Sequence, residues 1–495
     1  MVPDTVNHFI GGQYARSTYG KTFGLPDPAT GKEYARVAVG LGADINNAVR
    51  AARAAFETGP WPGMAAGERA RVLNGIADAI NARADDIAAA EAIGTGLPVG
   101  QAKEQAARAA EQFRRAAGRL TVGPEDDASS APGQPSYVAQ RPAGVAGVIT
   151  PWRTPFLAQA RALASALAAG CTAVLSPDVW TPLPAALLAE ITTGAGLPDG
   201  VVNIVYGTGD WRGNGDGART DARDALVAHP DVARLSFAGE TATGRQVLRD
   251  AETHRKGLSA ELAGDAPCLI FADADLEQAT DSALFGAFAL NGQRRTASST
   301  ILAERSVYDA LVSRLAMRAR RIRVGAPSDP STELGPVVHP EHHERVSSYV
   351  RLGVREGARL AAGGRRPAGL AEGNYLEPTV LADVSPSMRI FQEEICGPVV
   401  RVTPFDTDEE AVSLANATNH APTAYIWTSD LQRAHRLAPA IESAATWVNS
   451  HNARDLQTWS GGAGRDNGHA SIEFYTRSRT VHVAADDSPV PRFGA

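Results

Sequence analysis

The chain has 495 residues, of which 44% are hydrophobic and 21% are charged, and its formal net charge is −7. This length exceeds that of a single hydrophobic core and indicates two or three domains, and the composition excludes an intrinsically disordered chain. The acidic balance, with no basic cluster to offset it, excludes nucleic acid as the main partner.

The first third of the chain predicts a small entry segment followed by helices. Residues 8–40 alternate short apolar runs with Gly, Pro and Asp turns, which favours a small antiparallel unit. From residue 44 to about 119 apolar residues recur at helical spacing. Residues 123–136 form a polar break, and residues 137–149 are typical of one or two strands.

Strands and helices then alternate between residues 145 and 275. The pattern predicts strands over 145–149, 172–175, 201–205 and 235–237, and helices over 157–169 and 181–194. This rhythm favours crossover units and a parallel, doubly wound sheet. A second alternating block runs from about 263 to 450, and residues 479–483 predict one more short strand.

Cysteine usage and the amino terminus indicate the compartment. Cys171, Cys268 and Cys396 are too few and too scattered for a disulfide framework or a zinc site, so we expect no bound metal and a reducing environment. The first residues lack a signal-peptide pattern, and no apolar run approaches the roughly 20 residues that span a bilayer. We therefore expect a cytoplasmic protein without a membrane partner.

Ten short motifs follow one another in a recognisable order. They include Thr150-Pro151-Trp152, Gly196-Leu197-Pro198-Asp199-Gly200, Glu261-Leu262-Ala263-Gly264, Asp273-Ala274-Asp275-Leu276, Asn291-Gly292-Gln293, Gly335-Pro336, Gln392-Glu393-Glu394-Ile395-Cys396-Gly397-Pro398 and Trp447-Val448-Asn449. Together they resemble the NAD(P)-dependent aldehyde dehydrogenase superfamily, and the resemblance covers nearly the whole chain.

The resemblance implies an α/β fold of the aldehyde dehydrogenase type, with two doubly wound α/β domains with parallel sheets and a small bridging β-sheet. Residues 1–124 and 143–262 would form a dinucleotide-binding domain, and residues 263–450 a catalytic-type domain. Residues 125–142 and 478–490 would form the bridging strands, which imply a homodimer or a homotetramer.

The family reaction starts with a thiolate that attacks the aldehyde, while amide donors hold the oxyanion and a carboxylate activates water. At the position of the nucleophile this chain has Arg295, two residues after the Asn291-Gly292-Gln293 loop. The asparagine expected after Trp152 is Arg153, whereas the water-activating glutamate is retained as Glu261. Because arginine stays protonated, it cannot attack a carbonyl carbon, and thiol chemistry at position 295 is excluded.

The residues that the resemblance assigns to the cofactor are altered as well. The lysine and glutamate that grip the adenosine ribose fall on Ser176 and Val179, and the small hydroxyl residue under the pyrophosphate falls on Glu240. A carboxylate at that helix start would satisfy the helix dipole itself and repel a phosphate. The loop over 206–219 is about ten residues longer than usual, and the glycine-rich loop over 459–465 is shortened.

Three residues assigned to the cofactor remain, namely Trp152, Gly239 and Glu394. From the balance of retained and altered residues we expect no NAD(P) binding or only weak binding.

Two interpretations of the altered site stay open. Arg153 and Arg295 could flank Glu261 and bind an anionic small molecule, with Glu261 as general base, or they could fill the old cavity by pairing with Glu261. Cys396 stands where the family places a phenylalanine near the nicotinamide. It could replace the missing thiol, or it could fill the space that the ring leaves.

Three hypotheses about function follow. The first is an enzyme repurposed for chemistry without a thiol, possibly without a cofactor, on an anionic small molecule. The second is a catalytically silent pseudoenzyme that serves as a scaffold or partner. The third is an NAD(P)-dependent aldehyde oxidoreductase whose catalytic residues are displaced.

Overall fold

The computed structural model describes residues 4–122, 136–207, 221–262, 264–418, 422–451, 469–482 and 493–494. The lengthened loop expected over 206–219 lies mostly outside these residues, and the shortened loop expected over 459–465 lies wholly outside them. Residues 125–135 and 483–490 of the expected bridging strands lie outside them too. Among the described helices, none combines the length and the apolar composition that crossing a membrane requires.

The strands are, in chain order, β1 (Thr5–Val6), β2 (His8–Ile10), β3 (Gln13–Ala15), β4 (Thr22–Pro26), β5 (Glu33–Ala38), β6 (Ser136–Pro142), β7 (Val145–Thr150), β8 (Thr172–Pro177), β9 (Val202–Ile204), β10 (Val232–Gly239), β11 (Gly257–Leu262), β12 (Asp265–Ile270), β13 (Ala297–Glu304), β14 (Arg359–Ala362), β15 (Thr379–Ala382), β16 (Val399–Phe405), β17 (Ala424–Trp427), β18 (Thr446–Val448) and β19 (Thr476–His482).

The α-helices are α1 (Gly42–Glu57), α2 (Ala66–Ala82), α3 (Ala84–Thr95), α4 (Val99–Val122), α5 (Pro155–Ala168), α6 (Pro182–Gly194), α7 (Ala222–Ala228), α8 (Thr241–Thr253), α9 (Leu276–Phe288), α10 (Arg305–Ala319), α11 (Pro340–Glu356), α12 (Arg389–Gln392), α13 (Asp408–Ala415), α14 (Leu431–Leu437) and α15 (His469–Phe474). Short 3₁₀ turns lie at Ala289–Gly292 and Ala438–Ala440.

The first large sheet has the strand order β11-β10-β7-β8-β9-β2-β3. Its first five strands are parallel, and β2 and β3 add an antiparallel edge. Strands β7 and β8 are buried along their whole length, since helices cover both faces of a parallel sheet. This burial explains why the segments are continuous apolar runs in the sequence.

The second large sheet has the order β14-β15-β16-β13-β12-β17-β18 and is parallel except for its edge strand β14. Two smaller sheets complete the fold: β1-β5-β4 near the amino terminus, and β6 paired antiparallel with β19. The predicted α/β fold with two parallel sheets and a small third element is confirmed, whereas the domain boundaries stay a prediction.

The observed elements match the predicted alternation between residues 145 and 275 to within three residues at each end. The entry segment is more divided than expected, because β2 and β3 join the first large sheet rather than a separate antiparallel unit. Phe9 in β2 pairs with Ile204 in β9, and its buried ring ties this segment to the core.

Candidate functional site

A buried carboxyl group fixes the start of helix α5 and therefore the place of Arg153. Glu91 in α3 is fully buried and accepts a hydrogen bond from the backbone N–H of Phe156 at 3.0 Å. Thr154, in the left-handed region at φ 40°, and Pro155 begin the helix. Burial raises the pKa of Glu91 to about 8, although the Phe156 N–H opposes the shift. Trp152 and Arg153 thus lie directly before a firmly anchored helix start.

The side-chain amide of Asn291 fixes the loop that precedes Arg295. Leu290 and Asn291 adopt positive φ angles of 56° and 59°. Asn291 is fully buried, and its Nδ2 donates to the carbonyl oxygens of Gly96 and Pro336, each at 2.9 Å. Asparagine tolerates the left-handed region better than most residues, which suits it to this bend. The bend directs the residues after it toward the first sheet.

Glu261 lies near the carboxyl end of β11 and forms two ion pairs. The guanidinium of Arg295 contacts Oε1 of Glu261, and that of Arg161 in α5 contacts Oε2. Arg161 also donates from Nη1 to Oε1 at 3.1 Å. The Glu261 side chain is only 9% exposed, so two guanidinium groups compensate a carboxylate that is largely removed from water.

Arg153 does not flank Glu261 as the sequence suggested. Its Nη1 lies 3.0 Å from Oε1 of Glu394, and its Cζ lies 5.3 Å from the centre of the Trp152 ring. Burial opposes the charge of Arg153, yet the nearby carboxylates of Glu394 and Glu240 favour it and hold its pKa above the ordinary value. Arg161 contacts Glu261 from within α5. Arg153 lies before the helix, and its side chain pairs with Glu394 instead.

A cavity of about 110 Å³ lies beside Glu261. Its described lining consists largely of apolar side chains and arginines, among them Pro151, Leu157, Leu290, Arg108, Arg153, Arg161, Arg294 and Arg295. A wider cavity of about 730 Å³ adjoins it and shares Gln105, Arg108, Leu290 and Arg294 with it. The two cavities are therefore neighbours, and Arg108 and Arg294 line both of them.

Cys396 is not among the described residues that line the cavity beside Glu261. Its side chain is buried, and burial raises the pKa of the thiol to about 12 although Arg153 opposes the shift. Its carbonyl oxygen accepts a hydrogen bond from Nε2 of His342 at 2.7 Å. A thiol with so high a pKa carries almost no thiolate at neutral pH, so the geometry favours the space-filling interpretation.

Glu240, one of the residues expected at the cofactor, lies directly before α8. The side chain of Glu240, the residue before α8, is half exposed and accepts no hydrogen bond from the helix. Its Oε1 lies 3.9 Å from Nη1 of Arg345 in α11. The carboxylate is therefore directed at a guanidinium instead of capping the helix, which corrects the expectation that Glu240 satisfies the helix dipole.

The other residues expected at the cofactor lie on separate elements. Ser176 and Val179 are buried and carry no charge. Gly239 leaves no room for a side chain, because a Cβ there would lie 2.6 Å from the Phe237 ring. Trp152 is buried, with its ring 5.1 Å from that of His342.

Arg161 and Arg345 are site residues that the sequence analysis missed. Arg161 is the one charge in the apolar helix α5, and a lone charge in an apolar helix is a signal that a partner lies nearby. Arg345 lies on a helix rich in charged residues, where nothing in the sequence distinguishes it from a solvated side chain.

Residues 14–481 match the aldehyde dehydrogenase family. The 5-carboxymethyl-2-hydroxymuconate semialdehyde dehydrogenase of Escherichia coli is 42% identical over 479 residues, which cover 94% of this chain and 97% of the relative. The crystal structure of HpcC from Thermus thermophilus superposes with a TM-score of 0.93 at 43% identity and covers 99% of this chain and 95% of that one. The NAD+ complex of an aldehyde dehydrogenase from Bacillus cereus superposes with a TM-score of 0.91 at 34% identity, over 97% and 96% of the two chains.

These likenesses overturn two expectations from the sequence. The interpretation as a repurposed enzyme or a pseudoenzyme is wrong, because a relative at 42% identity over nearly the whole chain is named a semialdehyde dehydrogenase. The expectation of absent or weak NAD(P) binding is wrong too, since an NAD+ complex is among the similar structures. Part of its physical basis was the repulsion expected from Glu240, but the structure places this carboxylate opposite Arg345.

The matched family and the extent of the likenesses lead to one conclusion: this chain belongs to the aldehyde dehydrogenase family.

Proposed function

We propose that this protein is an NAD(P)-dependent dehydrogenase that oxidises a semialdehyde carrying a carboxylate group. The observation that carries the proposal is the cavity beside Glu261, which Arg108 and Arg153 line together with the two arginines that pair with Glu261. The E. coli relative, named for a carboxylated semialdehyde, supports the same substrate class.

The region around α8 fits a dinucleotide. The amino end of a helix offers backbone N–H groups to a phosphate, and here no side-chain cap from Glu240 occupies them. Arg345 adds positive charge 3.9 Å from Glu240, and Glu394 pairs with Arg153, the residue after Trp152. We expect these residues to hold NAD(P). A bound nicotinamide supplies the hydride acceptor for the reaction.

Two arginines suit the negative charges of the substrate. Arg108 in α4 lines both cavities and forms no ion pair within the described part of the chain. Nη2 of Arg153 is buried and has no hydrogen-bond acceptor among the described residues. A forked guanidinium binds a carboxylate with two parallel hydrogen bonds, so Arg108 would hold the distal carboxylate while Arg153 donates to an oxygen at the reacting carbon.

Glu261 would act as the general base of the reaction. No thiol lies at position 295, so we propose that the aldehyde is oxidised as its hydrate, which carries two hydroxyl groups on one carbon. Glu261 takes a hydroxyl proton from the hydrate, while Arg161 and Arg295 keep the carboxylate directed at the cavity. As the C–H hydrogen leaves with its electron pair, that carbon becomes the carbon of a carboxylic acid.

We also propose a cytoplasmic homodimer or homotetramer. Three buried, unpaired cysteines support a reducing compartment. Tyr137 and Val138 in β6 are 53% and 43% exposed, which supports a contact between copies along the β6–β19 sheet. The molar mass in solution, measured by light scattering, tests the subunit number.

The proposed reaction is tested by following reduction of NAD+ and of NADP+ with the native protein. The substrates are a muconic-type semialdehyde and an uncharged aldehyde of the same length. We expect reduction with the carboxylated substrate at least about tenfold more efficient in kcat/KM, because a charged hydrogen bond contributes about 1.5–3 kcal/mol. Equal efficiency with both aldehydes would refute the substrate class, and no reduction with either would refute the function.

A variant without cysteines tests the route. If Cys171, Cys268 and Cys396 are all replaced by alanine, we expect activity to persist within a few fold, since none of the three thiols lines the described cavity. Loss of activity in Cys396→Ala alone, with the fold intact, would instead assign the reaction to that thiol.

A further inference from the structure

A buried ionic cluster connects three adjacent strands of the second sheet. Asp265, Ser299 and Arg401, the amino-edge triad, lie near the amino ends of β12, β13 and β16. Nη2 of Arg401 lies 2.5 Å from Oδ2 of Asp265 and donates to Oγ of Ser299 at 2.8 Å. Ser299 in turn donates to Oδ1 of Asp265 at 2.7 Å.

Each member of the amino-edge triad follows a site residue in the same segment of chain. Asp265 comes four residues after Glu261, and Ser299 comes four residues after Arg295. Arg401 comes seven residues after Glu394. Each site residue therefore lies a few residues before one of the three strands. The triad joins the starts of these strands, although the strands are far apart in sequence.

Arg401 also holds the segment that carries Glu394. Its Nη1 donates to the carbonyl oxygen of Ile390 at 2.6 Å and to that of Glu393 at 3.2 Å. From the other side, Nη2 of Arg345 donates to the carbonyl oxygen of Glu394 at 3.0 Å. The rigid fork of one guanidinium thus joins a carboxylate, a hydroxyl group and two carbonyl groups, a set that a lysine could not reach at once.

The cost of burial indicates that the cluster serves more than stability. Arg401 is 1% exposed and Asp265 is 8% exposed. Desolvation of two such charges offsets most of their attraction, so a buried ion pair contributes little net stability compared with well-packed apolar residues. The ion pair instead fixes the relative positions of the three strands, because its hydrogen bonds need defined donors and acceptors on each of them.

We propose that Asp265, Ser299 and Arg401 are positioning residues that set the mutual placement of Glu261, Arg295 and Glu394. The proposal deepens the proposed function, on which its calorimetric readout rests. Loss of the triad loosens the three segments together and leaves the body of the second sheet in place.

Hydrogen exchange of the protein without cofactor tests the proposal independently of any activity. In Arg401→Gln we expect amides within 258–262, 290–296 and 389–396 to exchange about tenfold faster or more, while β12 and β13 beyond the triad stay protected. The matched control is Arg305→Gln, which removes an ion pair to Asp406 at the opposite ends of β13 and β16, where both side chains are more than half exposed. The control should leave all three segments unchanged.

A uniform rise in exchange across the sheet, or unchanged exchange in the three segments, would overturn the proposal and leave the triad as a structural ion pair. If Arg401→Gln does not fold, Arg401→Lys keeps the charge opposite Asp265 but cannot hold both carbonyl groups, so faster exchange is expected within 389–396, and unchanged exchange there would overturn the proposal.

Calorimetric titration with NAD+ gives the second readout. We expect the effects of Arg401→Gln and Glu394→Gln on the dissociation constant to be less than additive, whereas those of Arg305→Gln and Glu394→Gln should add. Additivity of the first pair would contradict the positioning role. If the native protein binds no NAD+, the proposed function fails, and the exchange pattern alone decides the role of the triad.

Discussion

Nη1 of Arg153 lies 3.0 Å from Oε1 of Glu394, and the two side chains are 9% and 12% exposed. The pair joins the chain before α5, which follows β7 of the first large sheet, to the segment before β16 of the second large sheet. The pair balances a buried guanidinium and leaves its second nitrogen, Nη2, available to a ligand oxygen.

Replacing Glu394 by Gln should destabilise the protein by about 3 kcal/mol, because it leaves the buried guanidinium of Arg153 without its counter-charge. Denaturant unfolding monitored by circular dichroism measures the loss. Glu277→Gln is the control, since its pairs with Arg314 and Arg318 lie at the surface and it should cost less than about 1 kcal/mol. Equal losses in the two variants would contradict the buried pairing.

Arg161 and Arg295 should each partly compensate for the loss of the other as a partner of Glu261. Arg161→Met or Arg295→Met alone leaves the carboxylate one guanidinium partner, so each should cost only about 1 kcal/mol. The double variant leaves Glu261 with neither and should cost about 3 kcal/mol or more, above the sum of the single losses. A double-mutant cycle of unfolding free energies measures the excess, and strict additivity would argue against a shared carboxylate.

The sequence predicted the fold through features that depend on local pattern. The parallel sheets were predicted from apolar runs such as residues 172–175 in β8. A strand that is buried on both faces is apolar at successive positions and not only at alternate ones. The resemblance assigned Arg295 to the position two residues after Asn291-Gly292-Gln293, and the structure has positive φ angles at Leu290 and Asn291.

The partners of the arginines could not be predicted in the same way. Whether Arg153 turns to Glu261 or to Glu394 depends on the direction of side chains across two sheets, which no sequence spacing encodes. The position of Glu240 opposite Arg345 depends likewise on the placement of α11 relative to α8, and assuming an isolated helix end led to the wrong expectation about the cofactor.

Arg108→Met should raise the KM for a carboxylated semialdehyde about tenfold to a hundredfold, because it removes a charged hydrogen bond to the substrate. The kcat should change little, since the proposed contact of Arg108 is with the distal carboxylate and not with the reacting carbon. Arg115→Met, two turns further along α4 and outside the described lining of both cavities, is the matched control. An unchanged KM, or an equal rise for an uncharged aldehyde, would rule out the carboxylate contact.

Glu91 should make the native protein less stable as the pH rises. Its pKa is raised by burial from 4.5 to about 8, so the folded state binds a proton more tightly than the unfolded state. The stability that it contributes is complete below pH 4.5 and is lost as the pH rises to about 8. Glu91→Gln should remove this dependence, and the exposed Glu111→Gln should retain it. Parallel pH profiles for native protein and Glu91→Gln, measured by denaturant unfolding, would contradict the buried carboxyl group.

The most direct test of the account is the rate of NAD(P)H formation with a muconic-type semialdehyde, compared between native protein and Glu261→Gln. We predict one carboxylic acid formed per NAD(P)H by the native protein. The variant should lose about a hundredfold or more in kcat, since general base catalysis contributes about that much. Equal rates in the two proteins, or no NAD(P)H from the native protein, would contradict a dehydrogenase in which Glu261 accepts the proton.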